Sequence, residues 1–351
     1  MGKSSTLVEH INTVNWAEGL IIGKVAIESA LSASSISTAF DIHLKQYFRL
    51  CGLARSQTAS KELAQRAHLR LFQSRVAIEN AILASLRTHS SEWESRLNAL
   101  TERSIYGASK KQGVSLRMPL TTCTPTKLCA AGCYAHDVLD ASPNAVVRGA
   151  INGWIAAEYE NGDKKNRTLI FKRIERHTKR AIVLAGRELL ALPDGFSRRA
   201  YIRFSHVGEI VFFPEFANAI AKQVHEQSAG LTDCVVYTRL AKAALIDPLL
   251  WVINFTLDPA SAGRRSWAPP SARIVFSAFG GELSPSASVN FLEHHRHSHL
   301  SPKKGEGNIC PATHPDTIER TCDACRCKTC FEKPKGFGLL ETAINIVERR
   351  L

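Results

Sequence analysis

No stretch of eighteen or more apolar residues runs through this chain, and the opening Met-Gly-Lys-Ser-Ser-Thr has no basic segment leading into an apolar one. A membrane span needs about twenty such residues and a secretory signal needs that order, so the expectation is a cytoplasmic protein with no membrane partner. Acidic residues are few against basic ones, 32 Asp and Glu to 45 Lys and Arg, leaving a formal charge of +13. That excess attracts polyanions, and nucleic acid is the commonest polyanion inside cells. Also missing are a Gly-x-x-x-x-Gly-Lys-Ser/Thr phosphate loop, a Gly-x-Ser-x-Gly nucleophile elbow and a His-Glu-x-x-His zinc helix. Their absence takes three common enzyme chemistries out of the reading.

What the chain does have is cysteine in clusters. Cys123, Cys129 and Cys133 fall within eleven residues, and Cys310, Cys322, Cys325, Cys327 and Cys330 within 21. Without secretion, such clusters read as metal ligands, not as a disulfide framework. The other two, Cys51 and Cys234, stand among apolar residues and read as small core side chains.

The first trio is spaced by five and then three residues, whereas zinc fingers and ribbons use pairs separated by about two to four. Iron with sulfide tolerates wider spacing, so the first expectation is a [4Fe-4S] cluster on three thiolates with one coordination position open. Zinc and an unmetallated core group are the alternatives. Near the C-terminus, Cys310, Cys322, Cys325 and Cys330 make a four-thiolate set, with Cys327 left over. Four thiolates close a coordination shell, which suits structural zinc or a second iron-sulfur cluster equally and would staple the tail to the body.

Periodicity near 3.6 over Lys61 to Leu86, and in Ala26 to Leu31, predicts a helical N-terminal region, residues 1–103. The Gly-, Ser- and Lys-rich Tyr106 to Gln112 reads as a boundary. Beyond it, β-prone runs alternate with helical ones. Strands are expected at Ser115 to Thr121, Ala200 to Phe204, Cys234 to Thr238, Trp251 to Phe255 and Arg273 to Ser277, and helices at Asn144 to Tyr159, Thr168 to Leu192 and Pro214 to Gln227. Such alternation favours parallel βαβ units. The expected class is α/β, an open or partial βα barrel over residues 104–300. Residues 301–351 read as a Cys-rich metal-binding segment with a C-terminal helix.

In such a fold, loops after the strands gather ligands. That marks the segment from Arg203 through Ser205, His206, Gly208 and Glu209 as candidate cofactor or substrate contacts, with Tyr237-Thr238-Arg239 and Asp258 as further loop candidates. An ordinary capped turn explains the first segment equally well. His136 and Asp137 are candidate outer partners of the first cysteine loop, and Asp137 equally a helix cap. His294, His295, His297 and His299 read as an exposed helix end or loop. Between Lys164 and Arg203 stand 12 Lys or Arg against three acids, with Lys172, Arg176 and Lys179 opposite Ile170, Ile174 and Ala181 at helical spacing. A solvated basic helix face follows.

The runs Ile105-Tyr-Gly-Ala-Ser, Ser115-Leu-Arg-Met-Pro and Cys-x5-Cys-x3-Cys-Tyr-Ala resemble the phage gene product 88 family. Arg203-Phe-Ser-His-Val-Gly-Glu-Ile, Val236-Tyr-Thr-Arg and Asn308-Ile-Cys-Pro are similar to that family's later segments, so residues 104 to about 335 are covered. The family's cysteine loop in turn resembles the cluster loop of radical S-adenosylmethionine enzymes, which follows the first strand of a partial βα barrel. Those enzymes usually carry Cys-x3-Cys-x2-Cys and a Gly-Gly-Glu after the second strand; here the spacing differs and Gly280-Gly281-Glu282 comes much later. The resemblance implies three cysteines on three irons, with the fourth iron chelating the methionyl group of S-adenosylmethionine. Two function classes follow: an iron-sulfur, radical S-adenosylmethionine-like enzyme acting on nucleic acid or another anion, and a non-catalytic basic nucleic-acid-binding protein stabilised by zinc or iron-sulfur sites.

Overall fold

The computed structural model describes most residues from 69 to 131, Cys133, residues 143–190, 199–277 except His206, Ala287, Val289–His294, Asn308–Ile309 and Ile344–Arg349. The expectations for Ala26 to Leu31, His136, Asp137, Cys51, His206, His295, His297, His299 and all five C-terminal cysteines lie outside the described residues. Two compact units interleave along the chain. The first takes the residues up to Ile105, Arg117–Arg173 and Val207–Glu209; the second takes Tyr106–Leu116, Ile174–His206 and the chain from Ile210.

The first unit is helical. Residues between 69 and 87 are helical wherever described, followed by α1 (Trp93–Leu100), the short α2 (Lys127–Ala131), α3 (Pro143–Asn161) and the start of α4 (Lys164–Leu190). The Trp93 indole donates to Glu158 Oε2 at 2.8 Å, tying α1 to α3. Asp163 begins α4 by accepting the Asn166 N–H on its carboxylate at 2.8 Å, the usual way a helix satisfies an orphan donor in its first turn. The basic periodicity of α4 holds: Ile170, Ile174 and Ala181 are buried, while Lys172, Arg176 and Lys179 are exposed.

The second unit holds a nine-stranded sheet in the order β1-β2-β3-β4-β5-β6-β7-β9-β8. The strands are β1 (Tyr106–Ser109), β2 (Gly113–Leu116), β3 (Ala200–Phe204), β4 (Thr232–Thr238), β5 (Trp251–Leu257), β6 (Arg273–Ser277), β7 (Val289–His294), β8 (Asn308–Ile309) and β9 (Ile344–Arg349). Only β1 and β2 pair antiparallel; every other pair is parallel. From β2 to β7 the spatial order follows the chain without reversal. The class expected from the sequence, α/β with parallel strands, is what the structure has.

Residues in register across parallel strands share a face. Leu116, Phe204, Val236, Ile253 and Phe255 stand on one face, all buried. Tyr106, opposite Leu116 on β1, meets Phe204 edge to face at 6.1 Å, and Phe204 meets Trp251 the same way at 5.0 Å. The Tyr106 hydroxyl lies 3.3 Å from Thr178 Oγ1 of α4, and Thr178 donates to Gln223 Oε1 of α5 (Pro214–Gln227) at 2.8 Å. The second part of α4 and α5 therefore cover this apolar face. Burial holds the Tyr106 hydroxyl protonated, far above the usual phenol range. The opposite face carries Ser115, Arg203, Tyr237, Asn254, Thr256 and Arg273.

Four expectations are corrected. The strand sought at Ser115 to Thr121 is Gly113–Leu116, because Pro119 has no N–H for a ladder and instead leads into a 3-10 turn, Leu120–Thr122. The supposed boundary at Tyr106 to Gln112 contains β1, whose glycine and serine hid it. The expected C-terminal helix is β9, in keeping with the β-branched Ile344, Ile346 and Val347. His294 ends β7 instead of a helix or loop. Because Phe204 sits fully buried between two aromatic rings, Phe204→Ala should cost about 3–5 kcal/mol of stability, read as a lowered denaturation midpoint; a loss under about 1 kcal/mol would contradict this packing.

Candidate metal centre

The cysteine loop belongs wholly to the first unit and is braced at every turn. Met118 donates its N–H to the Val207 carbonyl at 2.7 Å. Asn152 of α3 donates to the Ile105 and Arg117 carbonyls at 2.9 and 2.8 Å, and Gly153, one position on, lets Pro119 lie against the helix; a Cβ there would stand 2.5 Å from the Pro119 ring. Next, the 3-10 turn Leu120–Thr122 closes through the Cys123 N–H on the Leu120 carbonyl. Thr122 Oγ1 donates to the Pro119 carbonyl and accepts the Glu209 N–H, each at 2.7 Å. Thr126 caps α2: its hydroxyl oxygen accepts the Cys129 N–H at 3.0 Å, the pattern of an N-cap with the third helical residue. Cys129 is thus placed by a cap, Cys123 by a turn, and Cys133 by its N–H, which donates to the Ala130 carbonyl at 3.4 Å.

All three thiols are free and half-buried. Cys123 and Cys133 both lie against an apolar cluster of Phe72, Leu120, Ala130 and Val207. Although some of Cys123 reaches solvent, its surroundings are dense. Burial, then the Glu209 carboxylate, the Cys133 and Cys129 sulfurs and the Glu79 carboxylate, push the Cys123 thiol well above the usual thiol range. The three thiols and two buried carboxylates therefore share one electrostatic environment. Among the described residues, no three His, Cys, Asp or Glu side chains stand close enough to hold a single metal ion.

Glu79 is a participant that sequence reasoning missed. It forms a buried pair with Arg75 one helical turn earlier at 2.9 Å, and its second oxygen accepts the Thr121 N–H at 3.2 Å. An Arg-x-x-x-Glu pair set among Phe72, Val76, Leu83 and Leu86 was the available signal, since charges on an apolar helix face need a reason.

The segment after β3 divides in its role. Gly208 and Glu209 serve the cysteine loop: Gly208 has φ +71°, and a Cβ would come within 2.5 Å of the Met118 and Pro119 carbonyl oxygens. Ser205, at φ +59°, uses its hydroxyl oxygen to accept the Ile210 N–H at 2.7 Å. In the second unit, the Arg203 guanidinium lies 4.7 Å from the Tyr237 ring centre. Arg239 donates to the fully buried Asp258 at 2.5 Å, and Ser261 donates to the other oxygen of that carboxylate. Cys234 is buried as expected.

No family model, curated protein or solved structure matches this chain. The chemistry therefore rests on the site itself, which offers three soft donors, two carboxylates and an apolar backing. Thiolates are soft donors.

Two outcomes follow. Gly208→Ala should lower stability by about 2 kcal/mol or more, because both the backbone angle and the carbonyl contacts forbid the methyl group; an unchanged melting temperature would contradict the close approach. In metal-free protein, Glu209→Gln removes a negative neighbour, so the Cys123 pKa falls and its thiolate fraction rises. Mass-resolved alkylation at pH 8 should then label Cys123 faster than in the wild type, about tenfold for each unit of pKa; equal rates would show that Glu209 does not act on this thiol.

Proposed function

We propose that this chain is an iron-sulfur protein, similar to the phage gene product 88 family and to radical S-adenosylmethionine enzymes, with a [4Fe-4S] cluster on Cys123, Cys129 and Cys133. The observation that carries the reading is the convergence of three half-exposed thiols of one short loop on a common electrostatic environment. Five and then three residues between the cysteines suit a cubane, a larger object for a loop to wrap than a single ion. A cluster on three thiolates supplies electron transfer and one iron open to an outside ligand such as the methionyl group of S-adenosylmethionine.

The winding of the sheet supports the partial-barrel form of this reading. In doubly wound sheets the strand order reverses at a switch point, whereas βα barrels run their strands in chain order, as β2 to β7 do. Among the described residues no pairing joins β1 to β8, in keeping with an open form. The cysteine loop follows β2 in the chain, where a βα fold carries its ligand-holding loops.

The chain's own residues have definable tasks. Thr126 and Thr122 hold the loop backbone so that the sulfurs are presented together, and the Phe72, Leu120, Val207 cluster keeps water from one side of the site. Cys123 must lose a proton to ligate, and its burial and then the nearby carboxylates resist this in the metal-free protein. Cluster loading should therefore rise with pH as that proton becomes easier to release. The C-terminal set Cys310, Cys322, Cys325 and Cys330 is proposed to hold a second cluster or zinc.

A second reading, a basic nucleic-acid-binding protein without catalysis, draws on the exposed Arg176, Lys179, Arg180 and Arg187 of α4. Lys179 is partly answered by Glu175 at 2.6 Å on the surface, and exposed pairs of this sort are weak. No helix among the described residues is long and apolar enough to cross a membrane.

Anaerobic reconstitution with iron and sulfide tests the leading reading. The expected result is a broad visible absorption and, on reduction, a paramagnetic cluster signal. Both should fall by one cluster's worth of iron in a Cys123, Cys129, Cys133 triple alanine variant. Iron content that is the same in both proteins sinks it. A salt-dependent interaction with single-stranded DNA or RNA that survives in the triple variant, with no iron in either, would favour the second reading.

A further inference from the structure

Three successive parallel strands of the second unit end in the same device. β3 leads on to a 3-10 turn at Ile210–Phe212, β4 to one at Ala241–Leu245 and β5 to one at Ala262–Trp267. Because β3, β4 and β5 are parallel neighbours, the turns stand side by side at one end of the sheet, the first against the second and the second against the third. Hydrogen bonds fix the row. Lys242 Nζ donates to the Phe212 carbonyl at 2.9 Å, and Asn218 of α5 donates to the Leu245 carbonyl at 3.0 Å while accepting the Asp247 N–H at 2.8 Å.

This ledge shows solvent two aromatic rings, each with a cation beside it. Phe212 is 36% exposed and Trp267 43% exposed. Lys242 Nζ lies 4.7 Å from the Phe212 ring centre, and the Arg264 guanidinium lies 5.0 Å from that of Trp267. Single apolar side chains at a surface are ordinary, but two cation-aromatic pairs on one row of turns make a pattern. The three turns carry Lys242, Arg264 and Arg265 and no Asp or Glu. Of the flanking acids, Asp258 is buried and paired with Arg239, Asp247 accepts the Leu249 N–H at 2.8 Å, and Glu215 is exposed in the first turn of α5. Among the described residues neither Lys242 nor Arg264 forms an ion pair with a carboxylate.

We propose that this ledge binds single-stranded nucleic acid, with bases stacked on Phe212 and Trp267 and phosphates met by Lys242 and Arg264. An aromatic ring offers any base a flat apolar partner, and cations beside it follow the backbone; sequence-tolerant single-strand binding rests on that combination. A duplex keeps its bases stacked on one another and would use the charges alone. β3 and β5 are two strand spacings apart, about 9–10 Å, a span that about three stacked nucleotides cover at about 3.4 Å each. A partner protein would use the exposed Leu245 and Leu249 of the same segment; the cation beside each ring favours a polyanion instead. The inference rests on the nucleic-acid reading above for its class of partner, and gives that partner a seat other than α4.

The test uses the full chain, with fluorescein-labelled oligothymidylate and oligouridylate as single-stranded probes in anisotropy titrations over a range of salt. Saturable binding of at least one is expected, and the preferred probe tells DNA from RNA. Binding should quench part of the tryptophan fluorescence. In Trp267→Phe that quench should vanish while most of the affinity stays, because a stacking ring is kept. Phe212→Ala and Trp267→Ala should each weaken binding about fivefold or more, with circular dichroism confirming that each variant is folded. Lys242→Gln and Arg264→Gln should each lower the salt slope by about 0.7, and Lys222→Gln, at an exposed cation of α5 in the same unit, should leave affinity and slope unaltered. Wild-type affinity in folded Phe212→Ala and Trp267→Ala, or equal affinity for a duplex of the same length, overturns the proposal. So does self-association that both substitutions abolish, with no oligonucleotide bound, which would make the ledge a protein contact. Loss of binding only in a Lys172, Arg176, Lys179 triple glutamine variant sinks this seat and leaves the nucleic-acid reading standing on α4, whereas no salt-dependent binding of either probe sinks both.

Discussion

Between the Met118 N–H and the Val207 carbonyl runs a hydrogen bond of 2.7 Å that joins the loop after β2 to the loop after β3. Everything about the thiol site depends on that junction. It is possible only because Gly208 has no side chain to strike the Met118 and Pro119 carbonyls. Once made, it brings the Glu209 N–H onto Thr122 and the Glu209 carboxylate into the field of Cys123. A buried polar group left without a partner is costly, so the same bonds that satisfy these backbone atoms also set where the sulfurs stand.

The thiol site is consequently stiff on its protein side and demanding on its chemical side. Burial and two carboxylates push the Cys123 thiol above the usual thiol range. This is the electrostatic inverse of a reactive cysteine, whose thiolate is stabilised by nearby positive charge.

Much of the scaffold was legible along the chain. Ala200–Phe204, Arg273–Ser277 and Pro214–Gln227 have the bounds that their apolar patterns predict, because a buried strand or helix writes its period into the sequence. The three cysteines were legible too, since their side chains have few other uses at that density. Glu79 was not. Its place beside Cys123 comes from a helix more than forty residues earlier, and nothing local in the loop points to it. Nor was Gly208 readable as a brace: as a loop glycine beside a histidine it looked like a ligand contact, and its partners, two carbonyl oxygens some ninety residues back, are set by the fold.

Residue chemistry and periodicity alone therefore establish an α/β chain with parallel strands, a basic surface and a soft-donor loop after the first parallel strand. They could do so because propensity, burial period and ligand type are local properties, expressed within a turn or two of the residue that bears them. Which carboxylates face the thiols, which glycine must be a glycine, and which two arginines share a sheet face were decided only when strands paired in register and loops met. Those are relations between distant segments, and strand register and close backbone approach are the physical events that create them.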